Sequence, residues 1–241
     1  MSDRSVENRS SRVAQSDSSA RDSTKKSRRG GRRKGAGRKP GRFRKPAHRA
    51  RPPLSPRHPV HVTYRLEPYV RVLRDRDLYH VFRRVLACYL ERPGFRIVHI
   101  SIQTNHLHLI VEAADREALT SGLQSFAIRC AIGLHDKCGT TGKVFTFRYH
   151  STQITTPRQA HNSVTYVLNN WRRHHLDLTP TGIHWCPVDP YSSGVTFTGW
   201  SKRIEVRLPA GYVPLPVSPP QTELLRRVIM VDPFAYPGPR Y

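Results

Sequence analysis

The stretch Asn105-His106-Leu107-His108-Leu109-Ile110-Val111-Glu112 decides how this chain folds. Side chains alternate faces along a β-strand, so His106 and His108 share one face while Leu107 and Leu109 share the other. The leucine face calls for a core. The histidine face brings two imidazoles together, where they can converge on one cation. Histidines alternating on a half-buried strand are also often structural, so the pair takes its meaning from its surroundings.

Working outward, Phe95 to Ile102 reads as a strand, and Gln103-Thr104-Asn105 as a tight turn into the histidine strand, a hairpin with the histidines at its start. Residues 60 to 66 alternate Val60, Val62, Tyr64 and Leu66 with polar residues and form the first strand. Between them, Asp77 to Leu90 carries apolar residues at helical spacing, with Pro93-Gly94 expected to end that helix. Residues 115 to 135 are helical, broken by Gly139 to Gly142. Arg148 to Ile154 is a fourth strand, and Thr156-Pro157 caps a helix over residues 157 to 174. The order β-α-β-β-α-β-α predicts an α+β, ferredoxin-like antiparallel sheet with helices on one face, extended by a C-terminal helix. The histidine strand should be central in it. That plan hosts many activities and names none.

The last helix carries Tyr166-Val167-Leu168-Asn169-Asn170. Positions i and i+4 share a helix face, so Tyr166 stacks over Asn170, and the amide offers a cation a third, oxygen ligand. Nucleophile and ligand then arrive on one rigid element. Tyr149, Tyr64 and Tyr89 are rival tyrosines, but only Tyr166 has an amide four residues on along a helix: Tyr64 and Tyr89 are followed there by prolines, and Gln153, four after Tyr149, falls on the fourth strand, where four residues span about 13 Å.

Together these pieces resemble the single-tyrosine HUH transposases of the IS200 type, and within them the branch associated with repetitive extragenic palindromes. The resemblance spans roughly residues 57 to 175. It rests on His58-Pro59-Val60-His61-Val62-Thr63, Val98 to His108, Gly142-Lys143-Val144-Phe145, Arg148-Tyr149-His150 and Tyr166 to His174, with Asn-His-x-His the most specific piece. It implies Tyr166 as catalytic nucleophile, His106, His108 and Asn170 as metal ligands, a divalent magnesium or manganese ion, and single-stranded, hairpin or palindromic DNA as partner. Manganese suits the mixed nitrogen and oxygen set best. Two departures stand out. Asn170 occupies a position where many members carry Gln, and Leu168 stands where the palindrome-associated branch often has His. Family members include both dimers and monomers, so a homodimer is compatible with the resemblance.

The implied chemistry is attack of Tyr166 on a DNA phosphate, leaving a 5′-phosphotyrosine and a free 3′-hydroxyl. A phenol, with an ordinary pKa of about 10, is a poor nucleophile at neutral pH, and a cation at the phosphate offsets that. Further phosphate contacts are expected from Arg148, Arg172 and Arg173. His61, His99 and His150 are candidates to fix an imidazole tautomer, Asn105 to set the turn and Gln103 to orient a ligand. Glu112 lies about 13 Å from His108 along the strand, too far to be a ligand.

Composition agrees. The 241 residues carry a net charge of +24, unevenly: +15 over residues 1 to 59 and +9 over the rest, which favours a polyanionic partner. Length allows one well-cored domain plus tails. Residues 1–56, rich in Ser, Arg, Lys, Gly and Pro, read as a disordered basic arm. Within it, Arg38 and Lys39, in Gly35-Ala36-Gly37-Arg38-Lys39-Pro40, are expected DNA contacts of a minor-groove hook. Residues 57–175 form the catalytic domain, and 176–241 an irregular Pro-rich extension whose aromatics dock on it. No run of 18 apolar residues occurs and no secretory signal is visible, so no membrane association is expected and the chain reads as cytoplasmic, associated with the nucleoid. Cys88, Cys130, Cys138 and Cys186 form no C-x-x-C pair and are expected to be inert thiols. No G-x-x-x-x-G-K loop is present, so no nucleotide cofactor is expected.

Two other classes stay open. A non-catalytic, domesticated protein that binds single-stranded or hairpin nucleic acid would keep the basic surface without needing Tyr166. A hydrolytic metal nuclease would need a water-activating carboxylate, which the sequence does not clearly offer.

Overall fold

The computed structural model describes residues 53–70, 73–178, 186–206 and 208–235. Most of the basic arm, with Arg38 and Lys39, lies outside the described residues. Four strands, β1 (Val60–Arg65), β2 (Phe95–Ile102), β3 (His106–Ala113) and β4 (His150–Gln153), form one antiparallel sheet in the order β2-β3-β1-β4. β3 is therefore an interior strand, and its leucine face is fully buried. Helices α1 (Arg76–Ala87) and α2 (Arg116–Cys138) cover that face. There Val62, Tyr64, Leu107, Leu109, Phe82, Leu86, Leu123 and Phe126 make the main core.

Local signals place the helices. The Asp75 carboxylate accepts from the N–H groups of Asp77 and Leu78, Asp115 does the same for Ala118, and Thr156 for Gln159 ahead of Pro157. Gly139, at φ 61, ends α2 in the left-handed region. Helix α2 comes so close to β2 that a Cβ at Gly122 would stand 2.4 Å from the Phe95 ring.

Two expectations need correction. Helix α1 stops at Ala87, short of Leu90, because the chain tightens into i→i+3 hydrogen bonds at Cys88 and Tyr89. Gly94, at φ 68, serves the turn into β2 instead of capping α1. The sheet is extended, as expected, by the helix bearing Tyr166, α3 (Pro157–Arg173). This helix packs on the opposite face, where Ala160, Val164, Val167 and Leu168 meet Val98 and Ile110 in a second core. A β-bulge between Ile97 and His99 turns Val98 toward that side.

The described part of the extension after α3 docks on the domain as expected. Its ordered pieces are a 3₁₀ helix (Ser193–Thr196) and α4 (Glu223–Arg226). Ile102 N–H donates to Tyr191 O, and Ser218 N–H to Ile97 O, so extension residues cover the outer edge of β2. Leu225, Val228 and Val231 complete the second core. Among the described residues no helix is long and apolar enough to cross a membrane.

Candidate active site

The site lies between α3 and the sheet face beneath it. His61 and Thr63 come from β1, His106 and His108 from β3, and Tyr166 and Asn170 from α3. The register pairs Thr63 with His108 and Arg65 with His106, which sets β1 beside the histidine pair.

Tyr166 lies edge-on to His108, with ring centroids 5.2 Å apart at 88°, and 5.7 Å from the His61 ring. Four residues further along α3, Asn170 is fully buried, and its Nδ2 stands 3.4 Å from His106 Nε2. The His106 and His108 rings are 4.8 Å apart at 88°. The structure thus brings together the four residues expected from the sequence. The rivals are elsewhere: Tyr64 and Tyr89 lie in the main core, their hydroxyls donating to Leu123 O and Ser125 Oγ, and Tyr149 packs against Tyr64 on that same side.

Each histidine is oriented by a neighbour at Nδ1. His106 Nδ1–H donates to Asn105 Oδ1 at 2.9 Å. His108 Nδ1 lies 3.2 Å from both His61 Nε2 and Thr63 Oγ1. Engagement of both Nδ1 atoms directs ligation to Nε2, the usual logic of a metal-binding imidazole. Asn170 Oδ1 is buried and accepts no hydrogen bond among the described residues. Oxygen and nitrogen of an amide are nearly isosteric, so rotating the Asn170 amide presents that oxygen toward His106 Nε2. Two imidazole nitrogens and an amide oxygen suit a divalent cation such as manganese. Among the described residues no group of three or more His, Cys, Asp or Glu is placed to hold a metal ion, so the amide is essential to such a site.

Sequence reasoning missed Thr63 and His174. The Thr63 signal was its place two residues after His61 on one strand face. His174 follows Tyr166 and Asn170 at the same four-residue step, and its ring lies 5.2 Å from that of His106. Partial desolvation, then the charges of Arg173, His175 and Arg74, hold the His174 imidazole below its ordinary pKa.

Other candidates fall away from the site. Arg172 is a correction: it is buried, its Nη1 donates to Asp177 Oδ2 at 2.6 Å, and its remaining groups donate to Pro233 O and Pro187 O. A guanidinium so enclosed holds the extension to α3 and does not contact phosphate. Arg148 and Arg173 are exposed, as a phosphate contact must be. His99 is buried against Phe197 and Ser193, where desolvation pushes its pKa down to about 4, and it supports the extension instead of a ligand. His150 pairs in register with Thr63 but is exposed. The Glu112 carboxylate accepts from the N–H groups of Gln221 and Thr222 and from Thr222 Oγ1, so it anchors the extension. His135 bonds Thr140 and Gly142, and the four cysteines are free thiols.

No protein-family model and no curated protein matches the sequence. Among solved structures, the chain is similar to a REP-associated tyrosine transposase bound to a REP hairpin, at 18% identity over 53% of this chain and 74% of that one, with a TM-score of 0.41. It is also similar to a candidate transposase from Deinococcus radiodurans R1, at 13% identity over 49% and 91% of the two chains, with a TM-score of 0.35. A bacterial tRNA(His) guanylyltransferase-like protein in complex with GTP matches at 12% identity over 52% and 64%, with a TM-score of 0.37. At these scores, and with two different activities among them, the likenesses assign the chain neither to a family nor to a reaction.

Proposed function

We propose that this protein is a metal-assisted tyrosine nuclease and strand transferase, a transposase-type enzyme acting on single-stranded DNA with hairpin or palindromic character. The observation that carries the reading is the placement of Tyr166 edge-on to His108, one helical turn from an Asn170 that faces His106. The motif resemblance and the net charge of +24 support it independently.

In this reading Tyr166 Oη attacks the phosphorus of a DNA linkage. The P–Oη bond forms, the P–O3′ bond breaks, the phenol gives up its proton and the departing 3′-oxygen gains one. The product is a 5′-phosphotyrosine with a free 3′-hydroxyl, and a second 3′-hydroxyl reverses the step on a new strand. Bond energy is conserved, so joining needs no ATP. His106, His108 and Asn170 would hold a magnesium or manganese ion, which when bound supplies charge neutralisation at the scissile phosphate. His61 and Thr63 hold the His108 ring, and the rigid seating of α3 against the sheet holds the nucleophile beside it. Exposed Arg148 and Arg173, with Arg38 and Lys39 of the basic arm, are assigned to the DNA backbone. A hydrolytic alternative would need a carboxylate base, and Glu112, the acidic residue on the histidine strand, is already occupied by three donors.

The test is incubation of end-labelled hairpin and linear single strands with wild type, Tyr166→Phe and His108→Ala, with manganese or with EDTA, on denaturing gels. Metal-dependent transfer of label to protein, absent in both variants, is the expected result. Tight binding with no such transfer in the wild type would replace this reading with that of a non-catalytic nucleic-acid-binding protein.

A further inference from the structure

Gln103 is completely buried at the end of the β2–β3 hairpin. Its N–H donates to His106 O at 2.9 Å, and the register places Ser101 opposite His108, so Gln103 continues that register opposite His106. Facing residues of a hairpin have Cβ atoms about 5 Å apart. The Gln103 Nε2–H donates to Ser101 Oγ at 2.6 Å, which lays the amide along the sheet face beside both histidines. That bond also orients the group and leaves Oε1 as its other end. Oε1 is buried and accepts no hydrogen bond among the described residues.

An unpaired buried acceptor is costly, and a methionine of similar length would fill the space without that cost. Asn170 Oδ1 is likewise buried without a donor among the described residues, and the Asn170 amide stands on the α3 side of the same imidazole, its Nδ2 3.4 Å from His106 Nε2. Two side-chain amides, each with an oxygen that accepts no hydrogen bond among the described residues, therefore flank His106, one across the hairpin and one on the facing helix. Magnesium and manganese favour oxygen donors and keep positions beyond a three-residue protein set.

We propose that Gln103 is a further member of the cation site, its Oε1 serving the coordination shell of the ion held by His106, His108 and Asn170. This rests on the cation reading of that site. The amide would then set affinity for a hard divalent ion, at the expense of stability in the ion-free protein.

Calorimetric titration of the full chain with manganese chloride, for wild type, Gln103→Met, Gln103→Glu and His106→Ala, tests it, with thermal unfolding of each in the absence of metal. Gln103→Met is expected to unfold at a temperature equal to or above wild type while binding manganese about tenfold more weakly. Gln103→Glu, which keeps an oxygen and adds charge, is expected to bind at least as tightly as wild type. Manganese affinity of Gln103→Met within about twofold of wild type, with His106→Ala losing binding, would overturn the Gln103 assignment alone. Identical titrations for wild type and His106→Ala would overturn the cation reading and the assignment with it. Should Gln103→Met not fold, Gln103→Asn, which withdraws the oxygen by one methylene, decides by the same criterion.

Discussion

His61 Nε2 lies 3.2 Å from His108 Nδ1, and Thr63 Oγ1 stands at the same distance from the same nitrogen. β1 therefore takes part in the site: by engaging Nδ1 it leaves Nε2 as the His108 nitrogen that would face a cation. Replacing His61 with Ala or Thr63 with Val should weaken manganese binding about tenfold each. Because both act on one nitrogen, the double variant should lose less than the product of the single losses. Calorimetry of the four proteins checks this, and strictly multiplicative losses would mean that the two residues act separately.

Arg172 and Arg173 are neighbours in sequence with opposite fates. Arg172 is buried with Asp177, and Arg173 is exposed. Removing one partner of a buried ion pair costs about 3–5 kcal/mol. Urea denaturation should therefore show Asp177→Ala destabilised on that scale, whereas Arg173→Ala should stay within about 0.5 kcal/mol of wild type. Filter binding of a labelled hairpin should in turn weaken for Arg173→Ala with a reduced salt slope. Equal stability losses for Asp177→Ala and Arg173→Ala would contradict the assignment.

Burial holds the His99 imidazole down to about 4, from an ordinary value of 6.5. Between those values the unfolded chain carries a proton at this position and the folded chain does not, so stability falls as pH drops through the window. The contribution is present above about pH 6.5 and declines by up to about 1.4 kcal/mol per pH unit toward pH 4. His99→Gln should flatten this part of the stability profile, measured by denaturant unfolding at a series of pH values. Parallel profiles for the two proteins would show that His99 titrates normally.

Glu112 binds the extension through Gln221 and Thr222 and lies 3.7 Å from Arg96. Charge-assisted bonds of this kind are worth about 1.5–3 kcal/mol each when lost. In Glu112→Gln, amides of residues 221–228 should exchange with deuterium faster than in wild type, while those of β1 and β3 should hardly change. Uniform acceleration across the sheet would mean that Glu112 supports the whole domain and not this segment.

What the sequence made legible was local. The alternation in His106-Leu107-His108-Leu109 specified a strand with two faces, and the four-residue step from Tyr166 to Asn170 specified one face of a helix. The Thr156-Pro157 cap marked the start of α3. Tyr166 and Asn170 could be paired because one helix carries both. Relations between elements were harder. Nothing local says that α3 crosses to the sheet face opposite α1 and α2, because an amphipathic helix packs equally well on either apolar face. Arg172 looked like a surface charge because its partners, Asp177, Pro187 and Pro233, are set by the path of the extension. Thr63 shares a strand face with His61, and the β1–β3 register, which places it opposite His108, gives it its role. His174 was hidden by its place at the helix end, where a basic residue ordinarily serves the helix dipole.

The proposed reaction forms one bond between Tyr166 and DNA. Tryptic digestion should release Gln159–Arg172, a peptide in which Tyr166 is the sole tyrosine. After incubation with manganese and a hairpin oligonucleotide, followed by nuclease trimming and tandem mass spectrometry, this peptide should carry a 5′-phosphonucleotide on Tyr166. An adduct on another residue, or cleaved DNA with the peptide unmodified throughout the time course, would contradict the account.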